Sequence, residues 1–109
     1  MPRFALTLAA IGALLALPVL AETAETAATK AYKGAMQAMM GGMMLPYTGN
    51  ADVDFIKGMV PHHQGAVDNA RIVLQYGTDP DVRKFAEGVI AAQEAEIKWM
   101  NDWLAKNGG

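Results

Sequence analysis

Beyond about residue 30, apolar positions recur three and four residues apart, the period of helices. No stretch alternates with period two, and no internal repeat is present. A first helix is predicted over about residues 30–44. At roughly 100° per residue, Tyr32, Met36, Met39, Met40 and Met43 share one of its faces. Gly34, Gly41 and Gly42 weaken it by about 1 kcal/mol each relative to alanine. Pro46, Gly49 and Asn50 then mark a turn. A second helix is predicted from Asp52 as N-cap, with Asp54 in its first turn, to Tyr76, with Gly77 as its stop. Its inner face collects Phe55, Ile56, Met59, Ala66, Ala70, Val73 and Leu74. Pro61 lies inside it and is expected to kink the axis. Asp79-Pro80-Asp81 is a cap, a proline at the first turn and an acid, so it opens a third helix, running to about Lys106. Val82, Phe85, Ala86, Val89, Ile90, Ile97, Met100, Trp103 and Leu104 form its stripe, interrupted by Gln93 and Glu96. The fold class is all-α: an antiparallel, up-down-up bundle of three long helices. Its core is modest for a chain of this size, and a homodimer would supply more helices.

The first 21 residues stand outside this pattern. Arg3 precedes an apolar run over residues 4–17, and Val19-Leu20-Ala21 resembles a small-residue cleavage site. This reads as a secretory signal peptide. Residues 22–29 read as a flexible leader, either disordered or a frayed helix start, and residues 30–109 as the helical domain. The mature chain is expected to be exported, soluble and without a membrane span. All 11 acidic residues follow residue 21, and the only basic residue before it is Arg3. With no basic stripe, nucleic acid is excluded as a partner. Without cysteine there are no disulfides, thiolate metal sites or c-type haem attachments.

Methionine and histidine then change the picture. Met36, Met39, Met40, Met43 and Met44 crowd one short stretch, without a Leu, Ile or Val among them. Such a stripe is either core filling, to which methionine is well suited, or a soft-metal surface. Both histidines, His62 and His63, follow Met59 by three and four residues and share its helix face. They are either a polar patch or a metal site, since thioethers favour Cu(I) and imidazoles suit copper or zinc. Gln93 or Glu96 is expected to touch a histidine and fix its tautomer; the alternative for Glu96 is an edge position reaching into water.

Tyr32…Met36-x-x-Met39…Met43, the stretch from Tyr47 to Phe55, Gly58-Met59-Val60-Pro61-His62-His63-Gln64-Gly65-Ala66, and Gln93-x-x-Glu96-Ile97-x-x-Met100-x-x-Trp103 together resemble the CopM-like metallochaperones. These are small exported bacterial proteins of a family long described only as a domain of unknown function. The resemblance implies a ferritin-like, four-helix-bundle type of fold and periplasmic copper binding, linked to copper tolerance or delivery. The implied partners are the copper ion and a copper exporter, oxidase or acceptor protein. The expected Cu(I) site has Met39, Met43 and Met59 with His62 or His63, between the first two helices. Met36 and Met40 are further ligands, and Cu(II) is a second cargo. Asp54, Gln93, Glu96 and Met100 are the candidates for supporting contacts around them. The family usually carries methionine where this chain has Asn69, and often histidine where it has Met40.

An enzyme is not expected. The Glu-x-x-His pairs of a di-iron site and the H-E-x-x-H of a zinc protease are missing, and there is no serine or cysteine nucleophile. The alternative to a copper carrier is a helical module that docks a partner on its methionine face.

Overall fold

The computed structural model describes residues 24–108, which form three helices and no strand. The expected signal peptide lies outside the described residues. Helix α1 spans Ala27–Met43, α2 spans Ala51–Tyr76 and α3 spans Pro80–Asn107. None of them is long and apolar enough to cross a membrane.

The caps explain these boundaries. Thr26 accepts from the Thr29 amide through its hydroxyl, so α1 begins inside the stretch expected to be a flexible leader. Asn50, not Asp52, caps α2: its side-chain oxygen accepts from the amides of Asp52 and Val53. Both residues can serve as caps, but Asn50 is the one left extended, and Asp52 is already in the first turn. Asp79 caps α3 as expected, accepting from Asp81 and Val82, with Pro80 at the first position. Gly108 closes α3 in the left-handed conformation, φ 80°, and donates to the Leu104 carbonyl.

The α1–α2 loop is organised by Asp54. One carboxylate oxygen accepts from the Thr48 amide at 2.8 Å and the Thr48 hydroxyl at 2.7 Å; the other accepts from the Gly49 amide at 3.1 Å. Gly49 turns the chain there with φ 89°. The Thr48 amide and then its hydroxyl hold the Asp54 carboxyl below its ordinary value of 3.8; desolvation opposes them, and the Gly49 amide and the Lys57 charge add smaller lowering effects. A depressed carboxyl stabilises the fold fully above its unfolded value and loses that contribution as pH falls through its folded value. Asp54→Asn is therefore expected to lower stability near neutrality and to flatten the loss of stability below pH 3.8. Urea unfolding across the acid range checks this; parallel acid profiles for the two proteins would count against it.

The α2–α3 turn is short and clamped. Arg83 donates from one guanidinium nitrogen to the carbonyls of Leu74 and Gly77, satisfying groups that the end of α2 leaves free.

Helix α2 is the centre of the molecule. It packs antiparallel to both neighbours, while α1 and α3 do not meet each other. The buried apolar side chains among the described residues are Val53, Ile56, Val67 and Ala70 on α2 and Ala86 and Met100 on α3. Helix α1 has no buried residue. It approaches α2 through small residues instead: a Cβ on Gly65 would lie 2.7 Å from the Met39 sulfur, and one on Gly42 would lie 2.7 Å from the Pro61 Cβ. Helix α2 runs through Pro61 unbroken.

This arrangement corrects the expected core. Phe55, Val82 and Phe85 were placed inside, yet they are 62%, 48% and 74% exposed. Phe55 lies on the side of α2 between the two packing seams, Val82 and Phe85 flank that side from α3, and no fourth element covers it among the described residues.

Candidate metal centre

His63 occupies the seam between α2 and α3, one turn beyond Met59. Its side chain is only 17% exposed. Nδ1 lies 2.9 Å from the Met59 carbonyl, and Nε2 lies 2.6 Å from a Glu96 carboxylate oxygen. The carbonyl can only accept, so Nδ1 carries a proton and donates it. Nε2 is thereby fixed as the ring's outward end. Glu96 is its partner there, and a metal ion arriving at Nε2 would take that partner's place.

Around this pair, Phe55, Ile56, Met59, Trp99 and Met100 line a groove of about 290 Å³. Met100 is buried at its base and Trp99 is half-exposed at its rim. The groove thus gathers two thioether residues, one imidazole and one carboxylate. Among the described residues, no three histidine or carboxylate side chains come together. The soft groups available in this groove are the Met59 and Met100 thioethers.

The other expected site residues are dispersed. His62 is exposed on the uncovered side of α2, its ring centroid 6.2 Å from that of His63 and tilted by 59°. Among the described residues it forms no hydrogen bond. Met39 packs its sulfur against Gly65 in the α1–α2 seam, in a cleft with Pro61 and Asp68. Met36, Met40 and Met43 are 53%, 51% and 41% exposed. Met43 lies beside the loop, near Tyr47 and Lys57. Met59 and His63 consequently face α3, away from the α1 methionines with which the sequence groups them.

Among the supporting residues, Glu96 makes the expected contact with a histidine, and Met100 lines the same groove. Gln93 lies further along α3 beside Phe85 and Val89. Asp54 hydrogen-bonds the Thr48–Gly49 loop through both carboxylate oxygens and lines the same small pocket as Met43. Trp99 and Ile56 were not singled out as site residues. The signal for Trp99 was its place three residues after Glu96, on the same face.

The sequence over residues 10–104 matches a family described as domain of unknown function DUF305. The chain belongs to the DUF305 family. "Uncharacterized protein L153" of Acanthamoeba polyphaga mimivirus is similar to this DUF305 chain, 32% identical over 53 residues. That match covers 49% of the chain and 35% of the viral protein, so the shared stretch is about a third of the relative's length.

Proposed function

We propose that this DUF305 protein is a copper carrier of the CopM-like metallochaperone kind, exported to the periplasm, that holds Cu(I) in the groove between α2 and α3. The observation that carries the reading is the convergence of Met59, His63, Glu96 and Met100 on one groove. Thioethers with an imidazole are a soft donor set, matched to Cu(I). The Met59 carbonyl orients His63, as the outer partners of metal-bound histidines do, and holds Nε2 toward the groove. Glu96 lies beside it and balances the charge of the cation. The exposed α1 methionines, Met36, Met40 and Met43, provide soft groups for a passing ion, and a carrier must both take up and release its cargo. His62 offers an accessible imidazole for Cu(II).

Metal analysis of the protein purified from copper-supplemented periplasm, followed by a Cu(I) competition titration, tests this reading. Copper is expected to co-purify. His63→Ala is expected to weaken Cu(I) binding by more than the roughly 10–100-fold that loss of an outer partner costs. His62→Ala is expected to leave the groove site nearly intact and to act on Cu(II). A protein that takes up no copper, or whose Cu(I) affinity ignores both Met59→Leu and His63→Ala, would refute the assignment.

A further inference from the structure

The two seams of α2 leave one long side of that helix open, and the row along it is Phe55, Met59, His62, Ala66, Asn69 and Val73, with Met59 at its edge toward α3. These positions follow one another by three and four residues, so they form a single stripe. Side chains of α1 and α3 rise on either flank. Tyr32 from α1 and Val82 and Phe85 from α3 border a groove of about 370 Å³ at the far end of the stripe. Phe55 and Trp99 border the groove at the near end.

We propose that two copies of this chain pair through this open face, as a symmetric antiparallel dimer. The first argument is area. Tyr32, Phe55, Val82, Phe85 and Trp99 leave between 39% and 74% of their surface exposed. Monomeric proteins rarely expose an apolar patch beyond a few hundred Å². A standard stable interface takes roughly 800 Å² from each copy, and exposed aromatic side chains at both ends of the stripe are what such an interface would cover. The second argument is the core. The buried apolar set among the described residues is four valine, isoleucine and alanine side chains on α2 with one alanine and one methionine on α3, small for a domain that must fold alone.

Charge points to a second copy as the occupant. Lys57, Gln64, Asp68 and Arg71 follow the opposite side of α2, and the stripe itself carries only His62 and Asn69 as polar groups. Of the residues that border the two grooves only Glu96 is charged, so the face gives a strongly acidic or basic partner little to recognise. It also raises little repulsion against its own copy.

Shape favours the same occupant. In a two-fold pairing, if one residue meets a second, the second meets the first. An axis through the middle of the stripe sets Phe55 against the partner's Val73, Met59 against the partner's Asn69, and His62 against the partner's Ala66. A larger group meets a smaller one each time. The same operation lays the Phe55 and Trp99 end of one copy over the groove that Tyr32 and Phe85 border in the other.

Analytical ultracentrifugation and light scattering of the metal-free purified chain test the pairing, which makes no use of bound copper. The expected mass is that of a dimer. Ala66→Arg, at the centre, is expected to raise the dissociation constant by about 30-fold or more, the effect of losing one hot spot. Phe85→Ser is expected to act in the same direction without touching the monomer's buried core, as Phe85 is 74% exposed. Gln64→Arg, on the opposite side, is expected to stay dimeric. A monomeric wild-type chain would overturn the proposal, and so would dimers indifferent to both Ala66→Arg and Phe85→Ser. A monomer whose stripe is shielded from hydrogen exchange only while residues 1–23 are attached would overturn it too, with the chain's own N-terminal segment as the occupant.

Discussion

Met100→Ala is expected to destabilise the folded chain by about 2–5 kcal/mol, whereas Met100→Leu is expected to cost less than about 1.5 kcal/mol. Met100 is 4% exposed and lies under the groove, between Ile56 and the His63–Glu96 pair. Alanine removes most of that side chain and leaves a void in the α2–α3 seam, beneath the groove. Leucine fills nearly the same volume but has no sulfur. The two variants therefore separate packing from ligation. Urea denaturation with circular dichroism reads the stability, and a Cu(I) competition titration on the leucine variant reads the metal. A folded leucine variant with weakened Cu(I) binding assigns the Met100 thioether to the site. Unchanged Cu(I) affinity would confine Met100 to the core.

Two adjacent glycines in α1 are expected to respond with opposite signs. Gly41 has open space where a Cβ would stand, and Gly41→Ala is expected to stabilise the chain by about 0.5–1 kcal/mol, since glycine is unfavourable inside a helix. Gly42→Ala gains the same backbone term. Its new methyl group, however, would lie 2.7 Å from the Cβ of Pro61, an atom held in a rigid ring. Neither atom can turn aside, so α1 must move away from α2. Overpacking of this kind costs about 1–3 kcal/mol, enough to reverse the sign. Thermal melts of the two variants beside wild type decide the matter. Two stabilised proteins would mean that α1 yields at no cost.

The second and third helices were legible because they carry their own punctuation, Asp79-Pro80 before α3 and Gly77 after α2, although the cap of α2 is Asn50 and not the expected Asp52. Glu96 was legible as a histidine partner because a carboxylate in an apolar stripe needs a counterpart. The site's location was not. A single amphipathic reading gives a helix one inner face, whereas α2 has two seams with an open side between them. The stripe chosen as inner, with Phe55, Met59, Ala66 and Val73, largely follows the open side. Val67, at 1% exposure the most buried residue, was passed over. Which neighbour each side of a central helix receives depends on the paths of the other two helices, and local periodicity does not encode them. For the same reason His63 was grouped with α1 methionines when its contacts are with α3.

The connectivity of the contacts bears on how the protein opens. Because α1 touches α2 and never α3, nothing closes the circuit from the first helix to the last. Releasing α1 breaks one seam of small residues and leaves the α2–α3 hairpin, its Arg83 clamp and all of its buried side chains in place. Sub-global opening of this kind needs less free energy than whole unfolding. Amide exchange is therefore expected to be fastest along α1 and slowest around Val67 and Ala86. The methionine-bearing helix is a hinged strip, able to peel from the hairpin and return while the rest of the molecule stays folded.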